Sequence, residues 1–228
     1  MQISNAHSWD LSPKEAIQLQ KKLLPLVTQS GADPTRVKTI AGCDVSYSKA
    51  EDKLYAAVAV FSYPALALLE SASCVAPVRF PYVPGLLAFR EAPAILPAME
   101  RLGRRPDLLM VDGHGVAHPR GLGVASHIGV VLDVATIGVA KSLLCGEYSE
   151  PDKDKGSYSS LMWRDKIVGR VVRTRSGVKP VFVSVGTKIA LEDATRIVLD
   201  CCKPYRLPEP LRQAHLLCNR LRTSKRSA

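Results

Sequence analysis

Three carboxylates stand where the chain could bind a divalent metal ion. Asp112 directly follows the apolar run Leu108–Val111, which is typical of a strand buried on both faces of a parallel sheet. Asp44 lies inside or near the end of the first predicted strand, and Glu91 lies near a predicted helix start. Because α/β sheets bind ligands at the carboxyl ends of parallel strands, these acids can converge there. On spacing alone, any one of the 21 acids is more simply a helix cap or a surface charge.

The chemistry that such a site would support is phosphodiester hydrolysis. Mg²⁺ prefers oxygen ligands and keeps several of its waters, so two or three carboxylates suffice to hold it. A bound ion of this kind lowers the pKa of an attacking water and neutralises charge on the leaving oxygen. Nearby cationic side chains add to this effect, because a phosphoryl centre gathers negative charge in the transition state.

The first part of the chain is predicted to form one helix and a three-stranded antiparallel meander. Ser12 can cap the helix, Pro13 fits its first turn, and Glu15 can complete a capping box. Short polar or proline-containing breaks separate the three strand-like runs that follow, which indicates consecutive antiparallel strands. These predicted strands cover Val37–Tyr47, Leu54–Tyr63 and Ala67–Val75.

The middle of the chain begins with a proline-rich segment, Pro81–Gly85. It cannot be a central strand, because proline lacks a backbone N–H donor, so we predict an ordered loop. A helix is predicted over Leu86–Leu102, broken or bent near Pro93 and Pro97.

From Pro106 onward the pattern changes to alternating strands and helices. Strand, helix and strand in that order imply a right-handed crossover between parallel strands. The predicted elements are strand Leu108–Val111, helix Val124–Leu132, strand Thr136–Ala140, a basic hairpin over Leu161–Arg175, strand Val181–Val185, and helices Glu192–Cys202 and Pro210–Arg222. We predict one domain over residues 1–228, with a flexible basic tail over about 223–228.

Composition points to a polyanionic partner and away from membranes. A net charge of +10 and a pI of about 9.4 favour nucleic acid, and no apolar run reaches the roughly 18 residues of a membrane span. The N-terminus shows no signal-peptide pattern, so we expect a cytoplasmic protein, with a monomer as the default. The six cysteines show no C-x-x-C pair, which favours small buried hydrophobic residues over a disulfide framework.

Six sequence blocks then carry a resemblance to a known family. In order they are D-V-S-Y (44–47), P-Y-V-P-G-L-L-A-F-R-E (81–91), V-D-G-H-G-V-A-H-P-R (111–120), G-V-A-S-H (123–127), T-I-G-V-A-K-S (136–142) and Y-R-L-P-E-P (205–210). Together they closely resemble endonuclease V, the family of deaminated-base nucleases, from about Leu11 to Leu221. The second and third blocks are long and specific.

The resemblance implies a fold and an activity. The fold is α/β and ribonuclease H-like, with three antiparallel strands followed by parallel strands in a mixed central sheet flanked by helices. The activity is a metal-dependent deoxyinosine 3′ endonuclease of DNA repair, which recognises deaminated purines, chiefly the hypoxanthine of inosine. Such an enzyme hydrolyses the second phosphodiester bond 3′ to the lesion and leaves 3′-hydroxyl and 5′-phosphate ends. It implies Mg²⁺ as the cofactor, for which Mn²⁺ can substitute.

By motif position, the resemblance also assigns five catalytic residues. Asp44 and Asp112 would bind the metal, and Glu91 would complete the carboxylate centre directly or through a water. Lys141 would lie beside the scissile phosphate or the attacking water, and His215 would contact that water or a second metal. Without the resemblance, Lys141 is more simply a solvated residue and His215 a packing or capping residue.

Substrate recognition is implied to lie in the proline-framed loop and in the segment after Asp112. The loop would act as a wedge that fills the space of the displaced base, with Tyr82 stacking at about 1–3 kcal/mol per base. Extruding a base costs a few kcal/mol, so the two energies are comparable. The residues assigned to substrate contact are Pro81, Tyr82, Val83, Pro84, Gly85, Leu87, Gly113, His118, Gly123 and Ser126.

Several alternatives remain open at this level. An inosine-specific ribonuclease acting on single-stranded RNA is the close rival, and a non-cutting lesion-binding module is the rival of another class. The spacing of His114 and His118 resembles a zinc pair, but no third ligand is obvious. The basic segments 166–188 and 206–228 supply phosphate contacts or a solvated face. Thr187 and Lys188 replace the histidine and arginine usual in the family, so the role of that segment is in doubt.

Overall fold

A mixed β-sheet organises the computed structural model, which describes residues 7–224. The eight strands found among these residues are β1 (Thr39–Ser48), β2 (Lys53–Ser62), β3 (Leu68–Pro77), β4 (Leu108–Val111), β5 (Ala135–Ala140), β6 (Tyr158–Trp163), β7 (Lys166–Val172) and β8 (Val181–Thr187). The α-helices are α1 (Pro13–Leu23), α2 (Leu87–Glu100), α3 (Val124–Leu132), α4 (Leu191–Asp200) and α5 (Glu209–Ser224). Short 3₁₀ turns cover Leu24–Leu26 and Pro34–Arg36.

The strand order across the sheet is β3-β2-β1-β4-β5-β8-β7-β6. Strands β1 to β3 form the predicted antiparallel meander, and β4 and β5 continue from β1 in parallel. The sequence did not predict the rest of the sheet: β8 pairs antiparallel with β5, and the basic hairpin β6–β7 joins the same sheet through β8. The mixed sheet with flanking helices is confirmed, and it is larger at one edge than expected.

The central strand β4 is buried on both faces, as its continuous apolar character predicted. Leu109 and Val111 face a core shared with α2 and α3, while Leu108 and Met110 face a second core shared with α4. Because the strand has no solvent-facing side, a charge is tolerated only beyond its end. The next residue is Asp112.

Helix α2 is unbroken, where the sequence predicted a break or a bend at two prolines. It runs without interruption through Pro93 and Pro97, so the predicted break is absent. Each proline removes one backbone hydrogen bond. Burial of Ala92, Ile95 and Met99 against the sheet compensates for that loss, since these side chains are at most 1% exposed.

The remaining local features are the cap of α1, the cysteines and the end of the chain. The capping box of α1 is present: the Ser12 N–H donates to Glu15 Oε2 at 2.8 Å, and the Glu15 N–H donates to Ser12 Oγ at 3.3 Å. All six cysteines are free and buried. Among residues 7–224, no helix has the length and apolar character needed to cross a bilayer. Of the predicted basic tail, residues 223–224 complete α5, and the remainder lies outside the described residues.

Candidate active site

Register between two parallel strands brings the first two carboxylates together. Cys43 of β1 pairs with Val111 of β4, and the Asp112 N–H donates to the Cys43 carbonyl at 3.2 Å. Asp44 and Asp112 each follow one member of this residue pair, so they lie side by side on neighbouring strands. Glu91 approaches from the second turn of α2, and all three acids line one cleft of about 420 Å³.

The cleft disfavours the charged forms of Glu91 and Asp112. Burial, followed by repulsion from Asp44 and Asp112, raises the pKa of Glu91 to about 8. Burial, followed by repulsion from Asp44, raises the pKa of Asp112 to about 6. A cluster of this kind is stable only when protonated or when a cation compensates its charge.

Lys141 supplies one such positive charge. It follows the last residue of β5, and its Nζ forms an ion pair with Asp112 Oδ2. Burial opposes the charged ammonium, but attraction to Asp112 and Asp44 outweighs burial and raises the lysine pKa. The Arg206 guanidinium donates to the Lys141 carbonyl at 3.1 Å and to the Pro180 carbonyl at 2.7 Å, which fixes the backbone here.

His215 reaches the site through Asp44 and does not itself line the cleft. A chain of hydrogen-bond donors fixes the tautomer of the His215 ring. The guanidinium of Arg222 donates to Ser46 Oγ at 2.8 Å, and that hydroxyl donates to Asn219 Oδ1 at 3.0 Å. The Asn219 amide then donates to His215 Nε2 at 3.0 Å, so the ring proton is on Nδ1 and is donated to Asp44 Oδ2 at 2.7 Å. Sequence reasoning missed Asn219.

The carboxylates are not the tightest cluster of potential ligands. Within the described part of the chain, the group whose ligand atoms all lie within 4.8 Å of one another is Asp44, His215 and Cys218. Burial, together with Asp44, raises the pKa of the Cys218 thiol to about 12, which keeps it protonated. A thiol is also a poor ligand for a hard cation such as Mg²⁺, which prefers oxygen. The two histidines with zinc-like spacing, at 114 and 118, are not part of this group.

The predicted substrate residues mostly line the same cleft. Tyr82 stands at its rim with 70% of its surface exposed. The others that line it are Val83, Pro84, Gly85, Leu87, Gly113, His118 and Gly123. Pro81 lies outside the cleft lining, and Ser126 is fully buried in α3, so neither faces the cleft.

Further residues line the cleft that the sequence did not single out for this role. Leu143 and Leu144 lie shortly after Lys141 and keep 43% and 37% of their surfaces exposed. They add apolar surface to the cleft, which suits contact with a base or sugar face. Gln20, from α1, also reaches the cleft. No local pattern in the sequence marks it.

A second, larger cavity does not compete as a catalytic site. It has a volume of about 610 Å³ and includes Asp107 and Asp133. Both carboxylates are engaged: Asp107 accepts from the Thr39 N–H at 2.8 Å, and Asp133 pairs with Lys188. Thr187 pairs with Thr136 at the start of β5, roughly 16 Å along the strand from Lys141. The departure at residues 187–188 therefore lies far from the carboxylates.

Comparison with known proteins agrees with the motif blocks. The sequence model of Endonuclease V matches residues 21–216. The chain belongs to the endonuclease V family. An Endonuclease V from Gloeobacter violaceus is 50% identical, over 96% of this chain and 90% of that relative. The family and the ribonuclease H-like α/β class predicted from the sequence are confirmed.

Solved structures of the family superpose over almost the whole chain. The endonuclease V of Bacillus subtilis has a TM-score of 0.94 at 31% identity, covering 100% of this chain and 99% of its own. An endonuclease V from Ciona intestinalis has a TM-score of 0.83 at 29% identity, covering 93% of this chain and 98% of its own. That Ciona structure is a complex with a 24mer DNA containing an inosine followed by a ribo-adenosine.

Proposed function

We propose that this endonuclease V is a Mg²⁺-dependent repair nuclease that cuts inosine-containing DNA. It would hydrolyse the second phosphodiester bond 3′ to the lesion and leave 3′-hydroxyl and 5′-phosphate ends. The observation that carries the proposal is the convergence of Asp44, Glu91, Asp112 and Lys141 in one cleft with Tyr82 at its rim. The inosine-containing DNA bound by the Ciona relative supports the choice of substrate.

The donor set fits a hard divalent cation. Asp44 and Asp112 would hold the ion, and Glu91 would complete the centre, because carboxylate oxygens are the ligands that Mg²⁺ prefers. The raised pKa values of Glu91 and Asp112 fit this assignment, since burial and the neighbouring acids disfavour both charged carboxylates until a cation compensates them. When bound, Mg²⁺ lowers the pKa of a coordinated water and neutralises charge on the phosphate oxygens.

The remaining side chains have distinct tasks in the proposed reaction. Lys141 keeps its proton, so its ammonium would stabilise negative charge as it develops on the phosphate. His215 donates its Nδ1 proton to Asp44 and thereby fixes the orientation of that carboxylate. Asn219 keeps the required tautomer by donating to Nε2.

Recognition would be separate from cutting. Tyr82 offers an exposed ring that can stack where the base leaves the duplex. The net charge of +10 would hold the phosphate backbone without regard to sequence. Leu143 and Leu144 would contact the apolar faces of the strand in the cleft.

The deciding experiment maps the cut on end-labelled strands with one inosine. We expect wild-type protein with Mg²⁺ to cut at the second phosphodiester 3′ to inosine, and EDTA to abolish cutting. Asp112→Asn should abolish cleavage and retain lesion binding, while Asp154→Asn, a change of an exposed aspartate, should change neither. Retained Mg²⁺-dependent turnover by Asp112→Asn would remove this residue from the centre, and a cut elsewhere would overturn the assigned bond.

An inosine-specific ribonuclease is the second candidate, because the DNA in the Ciona complex carries a ribonucleotide directly after the inosine. Matched inosine-containing DNA and RNA strands separate the two functions, since only the RNA presents a 2′-hydroxyl on the nucleotide after the inosine. A markedly higher kcat/KM on the RNA strand would favour the second candidate. The presence of all three carboxylates and Lys141 argues against a module that binds lesions without cutting.

A further inference from the structure

One carbonyl oxygen ties the wedge loop, defined here as residues 81–85, to the rest of the cleft. The Gly85 carbonyl accepts hydrogen bonds from Gln20 Nε2 at 2.9 Å, His118 Nε2 at 2.9 Å and an Arg120 guanidinium nitrogen at 2.7 Å. Most carbonyls accept one or two such bonds. Three side chains from two other segments therefore converge on the last residue of the loop.

Gln20 has the most demanding position of the three. It lies on α1, is only 1% exposed, and uses its whole amide. Besides Gly85, its Nε2 donates to the Leu122 carbonyl at 3.0 Å, and its Oε1 accepts from Arg120 Nε at 2.6 Å. Burying an amide is costly unless its polar atoms are bonded. This glutamine thus connects α1, the wedge loop and the segment that follows Asp112.

His118 and Arg120 are the other two donors to the Gly85 carbonyl. The Arg120 N–H donates to His118 Nδ1 at 3.1 Å, so Nδ1 accepts and Nε2 carries the proton that bonds Gly85. Gly85 has a φ of +78°, and a Cβ there would lie 2.7 Å from the Arg120 guanidinium and 3.1 Å from His118. Glycine therefore suits the last position of the loop, since any other residue would be strained at this φ and would crowd two of the donors.

We propose that Gln20 is a positioning residue for lesion recognition, holding the wedge loop in the conformation that fills the space of the displaced base. The inference rests on the proposed function of the same cleft. Gln20 donates to the loop's backbone and to Leu122, and it bonds neither the carboxylates nor Lys141. A loop ordered before binding loses less entropy when it enters the duplex. Without Gln20 the loop must be ordered at that step.

The test compares Gln20→Leu with Gln18→Leu, a matched change of an exposed glutamine on the same helix. We expect Gln20→Leu to lower kcat/KM on duplex inosine DNA roughly tenfold through KM, with little change in kcat, since buried hydrogen bonds are lost. On single-stranded inosine DNA the deficit should be much smaller, because no base must be displaced there. Gln18→Leu should match wild type on both strands.

Two further measurements separate positioning from a general loss of structure. A fluorescent 2-aminopurine beside the inosine should report less base unstacking for Gln20→Leu at saturating protein. Arg120→Leu should give a similar deficit, and the double variant should lose less than the product of the two, because both act through Gly85. Gln20→Glu keeps the size and the Arg120 contact but not the two donors, so it repeats the test if Gln20→Leu does not fold.

The outcomes are distinct for the two proposals. Equal losses on duplex and single-stranded DNA, or a loss confined to kcat, would overturn the positioning role of Gln20. Wild-type activity in Gln20→Leu would do the same and leave the proposed function intact. If wild-type protein does not cut inosine strands at all, the proposed function itself has failed.

Discussion

The charge balance of the carboxylate cluster predicts how the metal-free protein responds to pH. Burial and the neighbouring acids raise the pKa of Glu91 from an ordinary 4.5 to about 8. The folded protein therefore binds this proton more tightly than the unfolded chain does. Protonated Glu91 makes its full contribution to the free energy of unfolding below about pH 4.5. This contribution is lost as the pH rises toward 8, because unfolding then releases Glu91 to ionise in water.

The magnitude follows from the shift. One pKa unit corresponds to about 1.4 kcal/mol, so from pH 5 to pH 8 Glu91 lowers the free energy of unfolding by at most about 4 kcal/mol. Because Glu91 lines an open cleft, screening by solvent makes this free energy an upper limit. The raised pKa of Asp112, about 6, adds a smaller decline of the same sign at lower pH. Glu91→Gln removes the larger contribution and retains the shape of the side chain.

The assay is urea unfolding of wild type, Glu91→Gln and Glu147→Gln in EDTA at pH 5, 6, 7 and 8. Glu147 is an exposed carboxylate and serves as the control. We expect Glu91→Gln to gain stability over wild type progressively from pH 5 to pH 8, while Glu147→Gln follows wild type. Added Mg²⁺ should narrow the difference by stabilising the folded wild type. Parallel pH curves for wild type and Glu91→Gln would refute the placement of Glu91 among uncompensated acids.

Three further predictions concern Tyr82, the packing of α5 against β1, and the basic surface. Tyr82→Ala should lower discrimination of inosine over undamaged strands by about tenfold with unchanged metal dependence, measured as a ratio of kcat/KM values; equal losses on both strands would argue against a wedge. Gly42→Ala should destabilise the fold by about 1–3 kcal/mol and reduce cleavage, because a Cβ there would overlap the Pro210 carbonyl and displace α5 with His215; unchanged melting and activity would show that α5 adjusts. Binding of undamaged DNA should weaken linearly in log–log plots against salt, whereas a flat plot would show that the basic surface is merely solvated.

Elements with a strong local signal were predictable from the sequence. The apolar run Leu108–Val111 and the helix Val124–Leu132 were predicted with the bounds observed, because both are buried almost all round and end at clear breaks. The direction of β8 and the attachment of the hairpin β6–β7 were not predictable. Antiparallel pairing of β8 with β5 depends on contacts between segments about 50 residues apart in the sequence, for which local periodicity carries no signal.

Local sequence patterns also predicted only part of the candidate site. The motif blocks predicted Asp44, Glu91 and Asp112 as the carboxylate centre, and strand register explains why the two aspartates meet. Gln20 and Asn219 escaped notice because a polar residue on an amphipathic helix ordinarily faces solvent. Their roles depend on partners 65 and 4 residues away, the Gly85 carbonyl and the His215 ring.

The carboxylates and the wedge loop are held in place by different kinds of interaction. Asp44 and Asp112 are fixed by the hydrogen-bonded register of β1 and β4, which tolerates their mutual repulsion because sheet pairing does not depend on their charge. The wedge loop belongs to no strand or helix, so its conformation depends on buried side chains such as Gln20. A substitution near the carboxylates should therefore alter metal use and kcat, whereas one near Gly85 should alter KM and discrimination. Under the proposed function, this separation would let the loop select the substrate while the strand register holds the carboxylates in place.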